Sequence, residues 1–142
     1  MNLIYQFVKA FKLAKKRNWD TIYVAVDIHE TILVPCYYEK ETYKFYPFSK
    51  KALRMMSQDK SICLILWTSA SKEMMVKYLH YFDNEGIHFD YVNENPECPS
   101  TDLANFDQKF YMNVGIDDKF GFIANIGWFE LYLYFLWRKI VH

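Results

Sequence analysis

TIYVAVDIHET, Thr21 to Thr31, is the stretch whose reading decides the fold. Its first six residues form a short apolar run rich in β-formers, which reads as a buried strand. The run ends on an acid, Asp27, and a hydroxyl, Thr31, follows four positions later. A carboxylate at the mouth of a buried strand is a costly place for a charge. That cost asks for a compensating partner elsewhere in the chain.

Outward from this stretch, strands and helices alternate. Before it, Leu3, Ile4, Phe7, Val8, Phe11 and Ala14 recur at helical spacing, which predicts an amphipathic helix within residues 1–18. After it, residues 32–48 are rich in β-formers around a polar EKET centre and read as a small hairpin or flap. SKKALRMMSQ is a helix with Ser49 as its expected N-cap. SICLILW is a continuous apolar run, as for a parallel strand buried on both faces. A further helix runs from about Ser71 to a C-terminal cap at Gly86. IHFDYVN and FYMNVGI read as a third and a fourth strand, FGFIANI as a candidate fifth, and ENPECPSTDLANFDQK as mostly loop. This order predicts one α/β domain over residues 1–142, a three-layer Rossmann-like fold with a mainly parallel sheet.

Composition narrows the class. The chain has 142 residues, and 52% of them are hydrophobic, enough for one sizeable core. Seventeen basic residues balance 17 acidic ones, so nucleic acid is not expected as the main partner. The locally basic stretches at Lys15–Arg17 and Ser49–Lys51 read as solvated helix ends. The three cysteines, Cys36, Cys63 and Cys98, show no zinc spacing, and Cys63 reads as a small buried hydrophobe. An odd cysteine count and an N-terminus without a signal's apolar core predict a cytoplasmic, reducing location.

In a parallel sheet, polar groups at the carboxyl ends of strands face one crevice. Three predicted strand ends carry such groups: Asp27, Thr68 with Ser69, and Asp117 with Asp118. Carboxylates gathered at one crevice repel unless a cation or a shared proton intervenes. An all-oxygen cluster with open water positions suits Mg²⁺. Together with a hydroxyl and a nearby lysine, this is the equipment of phosphoryl transfer.

VAVDIHET, CLILWTS and KFYMNVGIDDK, in that order, resemble the motifs of the haloacid dehalogenase-like superfamily of phosphohydrolases. The resemblance covers roughly Thr21 to Phe120, and the stretch LILWTSASKEMMVKYLHYFDNEGIHFDYVNENPE also resembles a small, nearly capless branch found in bacteria and their phages. It implies a phosphomonoester hydrolase without a large cap domain. Asp27 would be the nucleophile that forms an aspartyl-phosphate. Thr68, Ser69 and Lys109 would hold the phosphoryl group. Asp117, Asp118, Asp27 and the backbone carbonyl of His29 would bind Mg²⁺. The departure is His29 itself, where that family usually has an acid–base Asp, while Glu30 replaces a common Gly. Either His29 does the proton transfer, or turnover is slow or halts at the phospho-aspartate, or the site only binds a metal or phosphate. The last case makes the chain a catalytically impaired binding or assembly module.

Each residue also has a plain structural reading. Asp27 could cap the following turn, Thr68 and Ser69 could cap a helix, Asp117–Asp118 could be a solvated turn, and Lys109 could simply precede a strand. Tyr37, Tyr38, Tyr43, Phe45 and Tyr46 would either pack the flap onto the domain or stack on a base. The expected substrate is therefore a phosphorylated small molecule, a nucleotide or a macromolecular phosphate. The segment 121–142 is unusually apolar but too interrupted for a membrane span. It is expected to pack in the core beside the N-terminal helix, or to form a homodimer; a membrane partner is not expected.

Overall fold

The structure is a computed structural model that describes residues 3–35, 43–106 and 109–142. Its elements run α1 (Leu3–Lys16), β1 (Ile22–Val26), α2 (Ser49–Gln58), β2 (Ile62–Leu66), α3 (Lys72–Asn84), β3 (Tyr91–Val92), β4 (Val114–Ile116) and α4 (Ala124–Val141). The four strands form one all-parallel sheet in the order β3-β2-β1-β4. The fold is α/β and Rossmann-like.

Handedness explains the layers. The chain moves from β1 to β2 to β3 in one direction, so right-handed crossovers place α2 and α3 on the same face. Side chains alternate along each strand. Ile22, Val24, Val26, Ile62, Leu64, Leu66, Val114 and Ile116 accordingly share one core with Phe7, Leu53, Phe82 and Trp128 from the four helices. The return from β3 to β4 crosses the opposite face. There the irregular residues 93–106 and 109–113 form the third layer, seating Phe110 on Ala25, Cys63 and Ile65. Cys63 is buried as expected, and burial together with the nearby Asp90 and Glu97 charges pushes its thiol pKa up to about 12. Such a thiol is a packing group and not a nucleophile.

The ends of the chain pack together. α4 lies against α2 and α1, and the Phe7 ring meets Phe135 edge-on at 5.1 Å. Arg138 lies over the Phe11 ring and donates to Asp59. Among the described residues, no helix is long and apolar enough to cross a membrane.

Two local expectations are corrected. FGFIANI is not a strand: Gly121, at φ 92°, closes a 3-10 turn over Asp118–Phe120, and α4 begins at Ala124. Ser49 is not an N-cap. It is the first residue of α2, and its hydroxyl donates to the Tyr46 and Ile32 carbonyls, while Phe48 occupies the cap in the left-handed region. Gly86 at φ 80° does follow the end of α3. The base of the flap is an antiparallel pairing of Leu33 with Phe45, closed by Val34 N–H to Lys44 O at 2.8 Å. Tyr43 and Phe45 pack their rings on Tyr81. Cys36, Tyr37 and Tyr38 lie outside the described residues.

Candidate metal and phosphate site

β1 and β4 are neighbours although β1 to β3 run the other way, so the strand order reverses between them. A crevice opens outside the strand ends at such a reversal. The parallel register pairs Val26 with Ile116 and with Leu66. The next residues, Asp27, Asp117 and Trp67, are therefore level at the sheet's carboxyl edge. Asp27 N–H continues the ladder by donating to Ile116 O at 2.9 Å.

Three carboxylates meet there. One oxygen from each of Asp27, Asp117 and Asp118 lies within 4.8 Å of the others. Asp117 is buried, and Asp27 and Asp118 are half-buried. Among the described residues, no lysine or arginine makes an ion pair with any of the three. Burial and then the neighbouring Asp117 charge push the Asp27 pKa up to about 6, against bonds from Ile28 N–H and the Thr31 hydroxyl that favour the anion. Burial and a like-charged neighbour both favour the protonated carboxyl, and a cation would favour the ionised one.

Thr31 organises the loop. Its hydroxyl donates to Asp27 Oδ2 at 3.2 Å and accepts from Asp118 N–H at 3.1 Å, joining the β1 and β4 loops. Asp117 Oδ1 accepts from Lys119 N–H at 2.9 Å and so caps the 3-10 turn that carries Asp118. The Thr31 carbonyl accepts from the Trp128 indole N–H at 2.6 Å.

Thr68 sits one residue beyond Trp67, half-buried, with Ser69 exposed beside it. Neither caps α3; that cap is Ser71, which accepts from Met74 N–H. Thr68 is held instead by Asn93. The Asn93 side-chain oxygen accepts from Thr68 N–H and its amide donates to Thr68 O, both at 2.8 Å. Lys109 is exposed, next to Phe110, whose ring meets Trp67 at 5.4 Å. Among the described contacts, none ties Lys109 to the three carboxylates.

His29 points its Nε2 at the buried Tyr78 hydroxyl, 3.0 Å away, with the two rings edge-on at 5.5 Å. Desolvation lowers the imidazole pKa, and the Glu30 charge only partly offsets it. Sequence reading singled out neither Tyr78 nor Asn93 nor Trp128. Asn93 stands at a predicted strand end, a signal of the same kind as Asp27 and Asp117.

The chain is similar to a solved structure of a conserved protein from Bacteroides thetaiotaomicron, at 25% identity and a TM-score of 0.62. The match spans 79% of this chain and 87% of that one. No protein-family model and no curated protein matches the chain.

Proposed function

We propose that the chain is a Mg²⁺-dependent phosphomonoester hydrolase of the haloacid dehalogenase-like type, acting through Asp27. The observation that carries this reading is the meeting of Asp27, Asp117 and Asp118 at the strand-order reversal. Their donor set is all oxygen, which fits a hard divalent cation that keeps several waters. Those three side chains and the His29 backbone carbonyl would hold Mg²⁺. Bound there, Mg²⁺ supplies charge neutralisation and polarisation of a phosphoryl oxygen.

The chain's own residues do the rest. An Asp27 oxygen attacks phosphorus, the ester P–O bond breaks, and its electron pair leaves with the alcohol, which takes a proton from the His29 imidazolium. Water then attacks the phosphorus of the aspartyl-phosphate and gives a proton to the neutral imidazole. The Asp27–phosphorus bond breaks, inorganic phosphate leaves, and the carboxylate is restored. Thr31 orients Asp27. The Thr68 and Ser69 hydroxyls and Lys109 hold the non-bridging oxygens.

The lowered His29 pKa makes the imidazolium scarce at neutral pH, so turnover is slow there. The bond from His29 to Tyr78, and the absence of a described tie between Lys109 and the cluster, favour a second reading. In it the chain is an impaired relative that binds a metal or phosphate without turnover. Hydrolysis of an aryl phosphate with Mg²⁺ separates the two. Turnover that Asp27→Asn abolishes supports the hydrolase; no turnover from about pH 5 to 8, the range of histidine titration, supports the binding module.

A further inference from the structure

α4 has two apolar faces. Trp128, Leu131 and Phe135 are buried in the core. Turned away from them, Ile126, Phe129, Leu133, Leu136, Trp137 and Ile140 remain between 36% and 78% exposed. The spacing of Ile126, Phe129, Leu133, Leu136 and Ile140 alternates three and four residues, the period of a helix-pairing seam.

We infer that this outer seam pairs with the same seam of a second copy, antiparallel about a two-fold axis at Leu133. The pattern is self-complementary about that residue. Ile126 and Ile140 lie seven positions to either side of it, and Phe129 and Trp137 four. Antiparallel pairing therefore sets Ile126 against the partner's Ile140, Phe129 against the partner's Trp137, and Leu133 against itself. A two-fold interface requires this kind of reciprocity.

Shape agrees with it. At the N-terminal end of the seam, Ile123, Ile126, Glu130 and Phe120 help line a cleft of about 490 Å³. At the other end, Ile140 is the most exposed residue of the seam, at 78%. Pairing brings that projecting side chain to the mouth of the partner's cleft, twice. Antiparallel pairing also opposes the two helix dipoles. The seam exposes on the order of 700 Å² of apolar surface, near the roughly 800 Å² that each partner gives to a standard interface.

This inference does not depend on the hydrolase reading. Sedimentation equilibrium of the full chain at micromolar concentration is expected to give a dimer. Leu133→Glu places two carboxylates at the axis and should weaken dimerisation by about a hundredfold or more, with the circular dichroism of the native fold retained because Leu133 is exposed. Ile126→Glu and Ile140→Lys should each weaken it roughly tenfold, and the double variant, whose opposite charges meet across the axis, should recover most of that loss. A parallel pair would set like charges together and show no such rescue. A native chain that is monomeric throughout, a Leu133→Glu variant that stays dimeric, or a double variant without rescue overturns the inference. So does a monomer that floats with phosphatidylcholine–phosphatidylglycerol vesicles.

Discussion

The indole N–H of Trp128 donates to the carbonyl of Thr31 at 2.6 Å, across 97 residues of sequence. Both residues are fully buried. The bond anchors the last helix to the loop that carries Asp27, and Thr31 passes that constraint on through its bonds to Asp27 and Asp118. The apolar C-terminal helix is thus part of the scaffold of the acidic site. The Phe122 ring packs on Trp128 at 5.0 Å and occupies the space where a side chain at Gly127 would stand.

Trp128→Phe should separate this anchor from simple packing. It keeps most of the ring but leaves the buried Thr31 carbonyl without its donor, at a cost of about 1–3 kcal/mol. Chemical denaturation should register that loss. Thr31→Val keeps the carbonyl bond and removes the hydroxyl bridge. It is expected to reduce Mg²⁺-dependent stabilisation more than Trp128→Phe does, relative to the stability each one loses.

The Asp27 pKa sets a pH dependence whose sign is unusual for a carboxylate. Its folded value of about 6 lies above the ordinary 3.8. Between those values the folded state binds the proton that the unfolded chain releases. Its contribution to stability is therefore greatest below pH 4 and is lost as pH rises through 6, by at most about 3 kcal/mol. With chelator present, Asp27→Asn should melt higher than the native chain at pH 7, and the gap should close at pH 4. Added Mg²⁺ should raise the native melting temperature and leave that of Asp27→Asn nearly unmoved.

What the sequence made legible follows from range. β1 and β2 are continuous apolar runs, and α1 and α2 carry a clear helical stripe, so each declares itself locally. The start of α4 does not. It is apolar on every side, so no periodicity distinguishes helix from strand, and Phe122 and Ile123 suit either. The acidic cluster was readable because each acid ends a strand, and the strand order then brings the ends together. The residues that position the site were not. Tyr78 lies 49 residues from His29, Asn93 lies 25 from Thr68, and Trp128 lies 97 from Thr31, and nothing in the spacing announces such pairs.

Asn93 should matter to phosphate binding through backbone alone. Its side chain clamps both the N–H and the carbonyl of Thr68 while its own backbone sits at φ 55°, in the left-handed region. Asn93→Ala loses the clamp and adds a backbone cost; Asn93→Gly loses only the clamp. Both should raise KM for a phosphomonoester, and Asn93→Ala should also be less stable than Asn93→Gly by about 1 kcal/mol. Equal KM values in native and Asn93→Gly chains would remove Thr68 from the phosphate site.

His29 can be tested through the leaving group. A nitrophenolate departs with little help, whereas an alkoxide needs a proton as the P–O bond breaks. If the imidazolium supplies it, His29→Ala should cost about 10²–10³-fold in kcat on an alkyl phosphate and far less on nitrophenyl phosphate. Because desolvation lowers the His29 pKa, the native kcat on the alkyl substrate at saturating Mg²⁺, which would keep Asp27 ionised, should rise as pH falls below about 6.5, the ordinary histidine value, and that rise should vanish in His29→Ala. His29→Asp should restore proton transfer by a carboxyl and speed the alkyl reaction at neutral pH. An equal loss on both substrates would mean that the ring only supports the loop through Tyr78, with the leaving-group proton coming from elsewhere.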